Sequence, residues 1–258
     1  MDVVTRDKSK ALFGMALSGG GVRGFAHIGV YKAMLERGIK PEIIAGSSMG
    51  ALIGALIATG YSPEELIKIA NNSTKARLFV PQLPRLGISS HGPIRKLLTE
   101  LIPETFDKLL IPLHVSTTNL NTGENTMWSD GNLIDAVMAS TCIPVAFVPV
   151  EINGMQYVDG GLSRNMPAAA IRDNCVTLIG SHANYIDTSA KLESLTAIME
   201  RCFRIAIHNT VRDDMQLCDL YINPPEIRHF STLKFDHIND IIELGYTTCK
   251  TQLEQLHN

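Results

Sequence analysis

Residues 11–50, ALFGMALSGGGVRGFAHIGVYKAMLERGIKPEIIAGSSMG, decide the fold. An apolar run at 11–18 ends in Gly19-Gly20-Gly21, as expected of a buried strand feeding a tight turn. Between 25 and 37 the apolar residues Ile28, Tyr31, Ala33, Met34 and Leu35 recur near helical spacing, and Gly38 stands where a left-handed C-terminal cap is needed. A second strand fits 42–46. After Ser47-Ser48, the small and apolar residues 49–59 have almost no polar face, which marks a buried helix. Strand, helix, strand, helix predicts a parallel βαβα start, and both of its βα turns open at the carboxyl edge of the sheet.

The first turn, Gly19-Gly20-Gly21-Val22-Arg23-Gly24, satisfies G-x-G-x-x-G between a strand and a helix, which raises a dinucleotide site. Such a site also needs an acidic residue at the end of the second strand to meet the ribose hydroxyls. Here Glu42 sits at the beginning of that strand, and its end is Gly46-Ser47-Ser48-Met49-Gly50. This G-x-S-x-G has the flanks of a nucleophile elbow, with Gly46 and Gly50 permitting a sharp turn that projects the Ser48 hydroxyl above the sheet. The bland reading is a Gly/Ser turn that merely joins strand to helix. If the two turns share a crevice, backbone N–H groups of Gly20, Gly21 and Val22 can donate to the oxygen of a carbonyl attacked by Ser48. Arg23 then either holds a phosphate, orients the loop or is a surface arginine at a helix start.

Farther along, Ser62-Pro63-Glu64-Glu65 supplies an N-cap, a proline at N1 and a glutamate at N3 for a helix to about residue 71. Helices are expected near 93–101 and 132–140, and a hairpin from strands at 113–120 and through Met127. Asn153-Gly154, flanked by strands at 147–152 and 155–158, is the strongest short-range hairpin signal. It leads into Tyr157-Val158-Asp159-Gly160-Gly161, where Asp159 is a candidate base in an open turn; an ordinary Asp-Gly turn is the alternative. A strand at 176–180, a long helix near 190–212, a short strand at 220–223 and a final helix at 238–256 complete the expectation.

The chain has 258 residues with 45% hydrophobic and 19% charged, an ordinary globular composition that excludes disordered, collagenous and coiled-coil classes. A formal charge of −3 without runs of either sign lacks the basic footprint of a nucleic-acid binder. The five cysteines are scattered, so neither a zinc site nor a disulfide framework is indicated, and a reducing, cytoplasmic setting fits. No other metal ligand spacing and no cofactor are expected. Residues 1–10 read as a polar tail, with no signal peptide or membrane-spanning helix, and 11–258 as one domain. Within it, 73–95 sets Leu78, Phe79, Val80, Leu83 and Leu86 among Arg77, Arg85 and Arg95. That segment is either a lid or interfacial anchor giving peripheral contact with a membrane surface, or a loop packed on the core.

G-G-G-x-R-G, then G-x-S-x-G, then D-G-G, in that order, resembles the patatin-like phospholipase family. The stretch Ala139-Ser140-Thr141-Cys142-Ile143-Pro144, with Phe147 and Pro149, resembles the segment that precedes the aspartate there. The resemblance covers residues 11–167, and residues from 168 onward match only loosely. It implies a three-layer α/β/α domain with a central, mostly parallel sheet. It also implies a Ser48–Asp159 dyad, an oxyanion hole in the Gly19 to Gly24 loop, a base loop through Gly160 and Gly161, and lipid or fatty-acyl esters as substrates. Two other readings stay open on the residues alone. One is an α/β-hydrolase with a Ser-Asp-His triad drawing on His182, His208, His229 or His237; the other is a non-catalytic regulator that cradles phosphate or a nucleotide in the glycine loop.

Overall fold

Strand β1 (Ala11–Leu17) directs Met15 and Leu17 to one apolar cluster and Ala16 to another, with all three fully buried. A strand buried on both faces is the mark of the middle of a parallel sheet covered by two layers. The structure, a computed structural model, describes residues 10–72, 92–144, 147–185 and 195–255. Helix α1 (Ala26–Glu36) leads to β2 (Ile43–Ser47), and α2 (Met49–Thr59) and α3 (Pro63–Asn71) follow. Helix α4 (Gly92–Leu101) precedes β3 (Leu113–Asn119), β4 (Asn125–Trp128), α5 (Leu133–Ser140), β5 (Val150–Ile152) and β6 (Met155–Asp159). The remainder is β7 (Cys175–Ser181), α6 (Leu195–Asn209), α7 (Arg212–Gln216), β8 (Leu220–Ile222) and α8 (Ile238–Gln255). The candidate lid at 73–95 falls almost wholly outside the described residues.

The sheet runs β5-β6-β3-β2-β1-β7-β8, with β4 also paired to β3. β3, β2, β1, β7 and β8 are parallel to one another, while β4 and the β5–β6 hairpin are antiparallel additions. The expected α/β sheet, mostly parallel and flanked by helices, is therefore present, with antiparallel strands added beside β3. One cluster joins Met15, Leu17, Ile44 and Val115 to the helices α1, α2 and α8; the other joins Ala16, Ala45 and Leu178 to Met166, Ile171 and Val211.

The pairing of β3 positions the site. Val115 pairs with both Gly46 of β2 and Trp128 of β4, whereas Thr117 pairs with both Thr126 of β4 and Asp159 of β6. A strand has two edges, so β4 occupies one throughout, and β2 and β6 share the other in succession. Asp159 is thereby set just past the carboxyl end of β2, where Ser47 and Ser48 lie.

Local signals fold as expected. Gly38 has φ +73, and the amides of Gly38 and Ile39 close the end of α1 on the carbonyls of Leu35 and Met34. Ser62 and Glu65 form the capping box of α3. Asn153 and Gly154 take φ 52 and 77, the paired left-handed residues of a type I′ hairpin turn. The expected long helix at 190–212 is different: α6 stops at Asn209, and α7 begins at Arg212. Between them Thr210 turns its hydroxyl to the Ile207 carbonyl and accepts the Asn165 amide, and Val211 is buried. Among the described residues, no helix is long and apolar enough to cross a membrane.

Helices α1 and α8 pack backbone against backbone. A Cβ on Gly29 would run into the Ile242 carbonyl, and one on Gly245 into the Ala26 carbonyl. Gly29→Ala and Gly245→Ala should each destabilise the protein by about 1–3 kcal/mol despite alanine's better helix propensity. Urea melts read this directly, and an unchanged or raised midpoint would contradict the close approach.

Candidate active site

Ser48 ends the β2–α2 turn as the N-cap of α2, with φ 54 and ψ −126, one of only two non-glycine residues with positive φ among those described. The flanking glycines make this backbone feasible. A Cβ on Gly46 would lie 2.5 Å from the Gly50 carbonyl oxygen, and one on Gly50 would strike the Leu17 and Ser18 carbonyls. The Ser48 amide donates to Ser140 Oγ at 2.8 Å, and Ser140 Oγ donates in turn to the Ser116 carbonyl at 2.7 Å. The end of α5 therefore fastens the turn to β3. With its backbone fixed, Ser48 points Oγ at Asp159, and Oγ donates to Asp159 Oδ2 at 2.6 Å.

Asp159 is 4% exposed, so its carboxylate has almost no water. Its Oδ1 accepts the Gly161 amide at 2.8 Å, which is the role of the glycines that follow it. A Cβ on Gly160 would collide with the Ser116 carbonyl, so this turn also needs glycine to pack on β3. The Asp159 amide donates to the Cys142 carbonyl, and the Thr118 hydroxyl donates to the Asp159 carbonyl. Burial pushes the Asp159 pKa up to about 6, partly offset by the hydrogen bonds from Ser48 and Gly161.

The glycine loop reaches the same place. A Cβ on Gly19 would lie 2.9 Å from Ser48 Cβ, so the loop passes directly over the serine. Gly21 has φ +57, and the amides of Gly20 and Gly21 make no hydrogen bond among the described residues. The Val22 amide differs from expectation: it donates to the Thr232 carbonyl at 2.9 Å and is not free for an oxyanion. Gly24 lies against Met49, the residue after the nucleophile candidate. Arg23 is not a surface residue. At 2% exposure, it donates to the carbonyls of Phe230, Arg228 and Tyr185, so it orients the loop.

Among the described residues, no histidine is hydrogen-bonded to Ser48 or Asp159. His182 is buried, with Nδ1 2.8 Å from the Tyr221 hydroxyl and its ring beside His208. His237 pairs with Asp240 at the surface, and His229 is exposed. Glu42 accepts the Leu12 amide at the start of β2, at the far end from the crevice. No group of three or more His, Cys, Asp or Glu side chains among the described residues is arranged to hold a metal ion. Sequence reasoning missed Asn165, whose Oδ1 accepts the Gly19 amide; a lone asparagine after D-G-G has no spacing signal.

A family model described as patatin-like phospholipase matches residues 15–171, more than half of the chain and all three motifs. The chain belongs to the patatin-like phospholipase family. An uncharacterized NTE family protein of Mycobacterium bovis is 36% identical over 169 residues, covering 64% of this chain and 47% of that protein. Lysophospholipase nte1 of Emericella nidulans is 26% identical over 278 residues, covering 94% of this chain and 18% of its own length. The chain thus spans about half the length of the mycobacterial relative and a smaller share of the fungal one. Among solved structures, VipD from Legionella pneumophila superposes with a TM-score of 0.53 at 16% identity, covering 96% of this chain and 67% of that one, a likeness of fold.

Within this patatin-like domain, the Asp159 carboxyl titrates above its usual 3.8, so folding favours its protonated form. The cost of ionising it is absent below pH 4, grows between pH 4 and 6, and is fully present above. Asp159→Asn should therefore gain stability relative to wild type by about 2–3 kcal/mol on going from pH 4 to pH 7.5. Denaturant melts at the two pH values measure the change, and a gap that does not widen would show the carboxyl to be less burdened than its burial implies.

Proposed function

We infer that this protein is a serine lipid acyl hydrolase that uses a Ser48–Asp159 dyad. The reading is carried by the 2.6 Å hydrogen bond from Ser48 Oγ to Asp159 Oδ2, made by a serine held at positive φ on a strand–helix turn. Family membership and the name lysophospholipase borne by fungal relatives favour acyl esters of phospholipids and lysophospholipids as substrates. Such substrates reside in bilayers and micelles, so the enzyme acts at a membrane surface.

The chemistry is a two-step acyl transfer. Asp159 takes the Ser48 proton as Oγ attacks the ester carbonyl, and the oxygen of the tetrahedral species lies over the free amides of Gly20 and Gly21, near the positive end of α2. Collapse breaks the bond to the alcohol, which leaves with the proton from Asp159. Water then gives a proton to Asp159 and attacks the acyl-Ser48 ester, releasing the fatty acid and restoring the Ser48 hydroxyl. A carboxylate is a weak base in water, and exclusion of water at Asp159 raises its basicity toward the working range.

A fluorophosphonate probe should label wild type at Ser48 and fail on Ser48→Ala. Ser48→Ala and Asp159→Ala should each lower kcat/KM on p-nitrophenyl esters and lysophosphatidylcholine by about 10³-fold or more while remaining folded. Turnover by Asp159→Ala within tenfold of wild type would remove the dyad. The kcat/KM profile should fall on the acid side with an apparent pKa near 6, because only ionised Asp159 accepts the proton. An acid limb near pH 4 would mean that the working base is not this buried carboxyl.

A further inference from the structure

We propose that Ser18 is a positioning residue whose hydroxyl locks the Gly19–Gly20 peptide, so that the Gly20 N–H faces the oxygen that becomes negative as Ser48 attacks the ester. The inference rests on the acyl-hydrolase reading and names what holds the glycine loop in its working form. Ser18 follows β1 directly and is fully buried, with every polar atom engaged. Its amide donates to the Ser181 carbonyl at 3.0 Å, and its carbonyl accepts from His27 Nε2 at 2.8 Å. The Ala183 amide donates to Ser18 Oγ at 2.9 Å, and the Ser18 hydroxyl donates to the Gly19 carbonyl at 2.8 Å. An amide N–H can only donate and a carbonyl can only accept, so no other direction is open to this hydroxyl.

The consequence lies one peptide farther on. The Ser18–Gly19 peptide is held at both ends, its carbonyl by His27 and its N–H by Asn165. The peptide between Gly19 and Gly20 is held at one end only. Its carbonyl takes the Ser18 hydroxyl, while its N–H makes no hydrogen bond among the described residues. None of the described peptides is cis, so this N–H points opposite to its carbonyl. The carbonyl is turned to the buried Ser18 hydroxyl, which sets the N–H on the outer side of the loop, and Gly20 is partly exposed there. The same loop passes over the nucleophile, since a Cβ on Gly19 would lie 2.9 Å from Ser48 Cβ. A peptide between two glycines can turn over with little steric cost, because neither has a Cβ to restrict it. Turned over, it would aim a carbonyl oxygen at the developing oxyanion in place of a donor. The Ser18 hydroxyl opposes that flip and keeps the donor preorganised. Ala183, which fixes this hydroxyl, also backs the loop: a Cβ on Gly20 would lie 3.0 Å from the Ala183 carbonyl oxygen.

Ser18→Ala removes the lock and leaves the glycine loop itself unchanged. Its kcat on p-nitrophenyl butyrate should fall about 10²-fold with KM within about threefold of wild type, and fluorophosphonate labelling should slow in parallel. In protein labelled with 15N-glycine, the Gly20 amide proton should move downfield when a phosphonyl oxygen forms at Ser48 in wild type, and that displacement should be lost in Ser18→Ala. A lowered urea midpoint in Ser18→Ala with kcat of the folded enzyme and the Gly20 displacement as in wild type would mean that Ser18 only supports the fold, and would overturn the proposal. A Gly20 signal that does not move in phosphonylated wild type would overturn it as well. Should Ser18→Ala unfold, Ser18→Cys, close to serine in shape but a weaker donor, takes its place; it should show the same changes to a smaller extent, and wild-type kcat with an undiminished Gly20 displacement there refutes the lock. If wild type neither labels at Ser48 nor hydrolyses any ester, the hydrolase reading itself fails, an outcome separate from all of these.

Discussion

The site depends on the backbone of Ser48, held at φ 54 where residues with a Cβ seldom go, at a cost of about 1–3 kcal/mol. That cost is offset by contacts that only this geometry allows. Gly50 brings the start of α2 against the Leu17 and Ser18 carbonyls, and Gly46 lets the chain fold back on Gly50. The Ser48 amide, which a left-handed turn would otherwise leave buried and unpaired, is taken by Ser140 Oγ, itself anchored on Ser116. Ser48 is thus gripped by β1, by the end of β2, and by α5 through β3. The position of Oγ follows from main-chain packing and does not rely on the rotamer preference of a small side chain.

The proposed dyad needs a carboxylate beside the fixed serine, and the division of one edge of β3 between β2 and β6 brings Asp159 there. β2 ends at the level of Ser116, and β6 takes over the same edge from Thr117 onward. β6 runs antiparallel to β3, so its last residue, Asp159, comes in toward the end of β2 and not away from it. The hairpin at Asn153-Gly154 sets that direction, and the bonds from Thr118 to the Asp159 carbonyl and from Asp159 to the Cys142 carbonyl set its register. A slip of one residue in β6 would put Tyr157 or Val158 on the other face and leave Ser48 without a base.

Much of this was legible because its signals are local. The strand, glycine turn, helix and elbow of residues 11–59 each follow from spacing and from glycines whose reasons lie within a few residues, and Asn153-Gly154 carries its own turn geometry. The supports of the glycine loop were not legible. Arg23 reaches Phe230, 207 residues away, and Val22 reaches Thr232, both in the part of the chain that resembles the family least. Contacts of such range leave no periodicity, so an arginine at a helix start reads as a surface residue although its guanidinium is enclosed by carbonyls. The break between α6 and α7 was missed for the same reason, since Thr210 turns toward Asn165 and Gly161 and answers no local signal.

The electrostatics around Asp159 bear on the proposal that a carboxylate serves here where many hydrolases use histidine. An arginine paired with Asp159 would hold its pKa low and leave it a poor base. The hydrogen bonds of buried Arg23 go to the backbone carbonyls of Phe230, Tyr185 and Arg228, and Arg164 is paired with Asp214. The buried histidines His27 and His182 supply no positive charge either. His27 sets Nε2 2.8 Å from the Ser18 carbonyl, which can only accept, so Nδ1 must accept the Ser181 hydroxyl, and burial holds its pKa down to about 4. His182, likewise buried, is pushed down to about 3. Relief for the carboxylate therefore comes from two neutral donors, the Ser48 hydroxyl and the Gly161 amide, and in the proposed reaction one of these gives up its proton. Burial among neutral groups raises the basicity of Asp159, and under the proposed mechanism the charge it loses on accepting that proton passes to an oxygen held by the glycine loop.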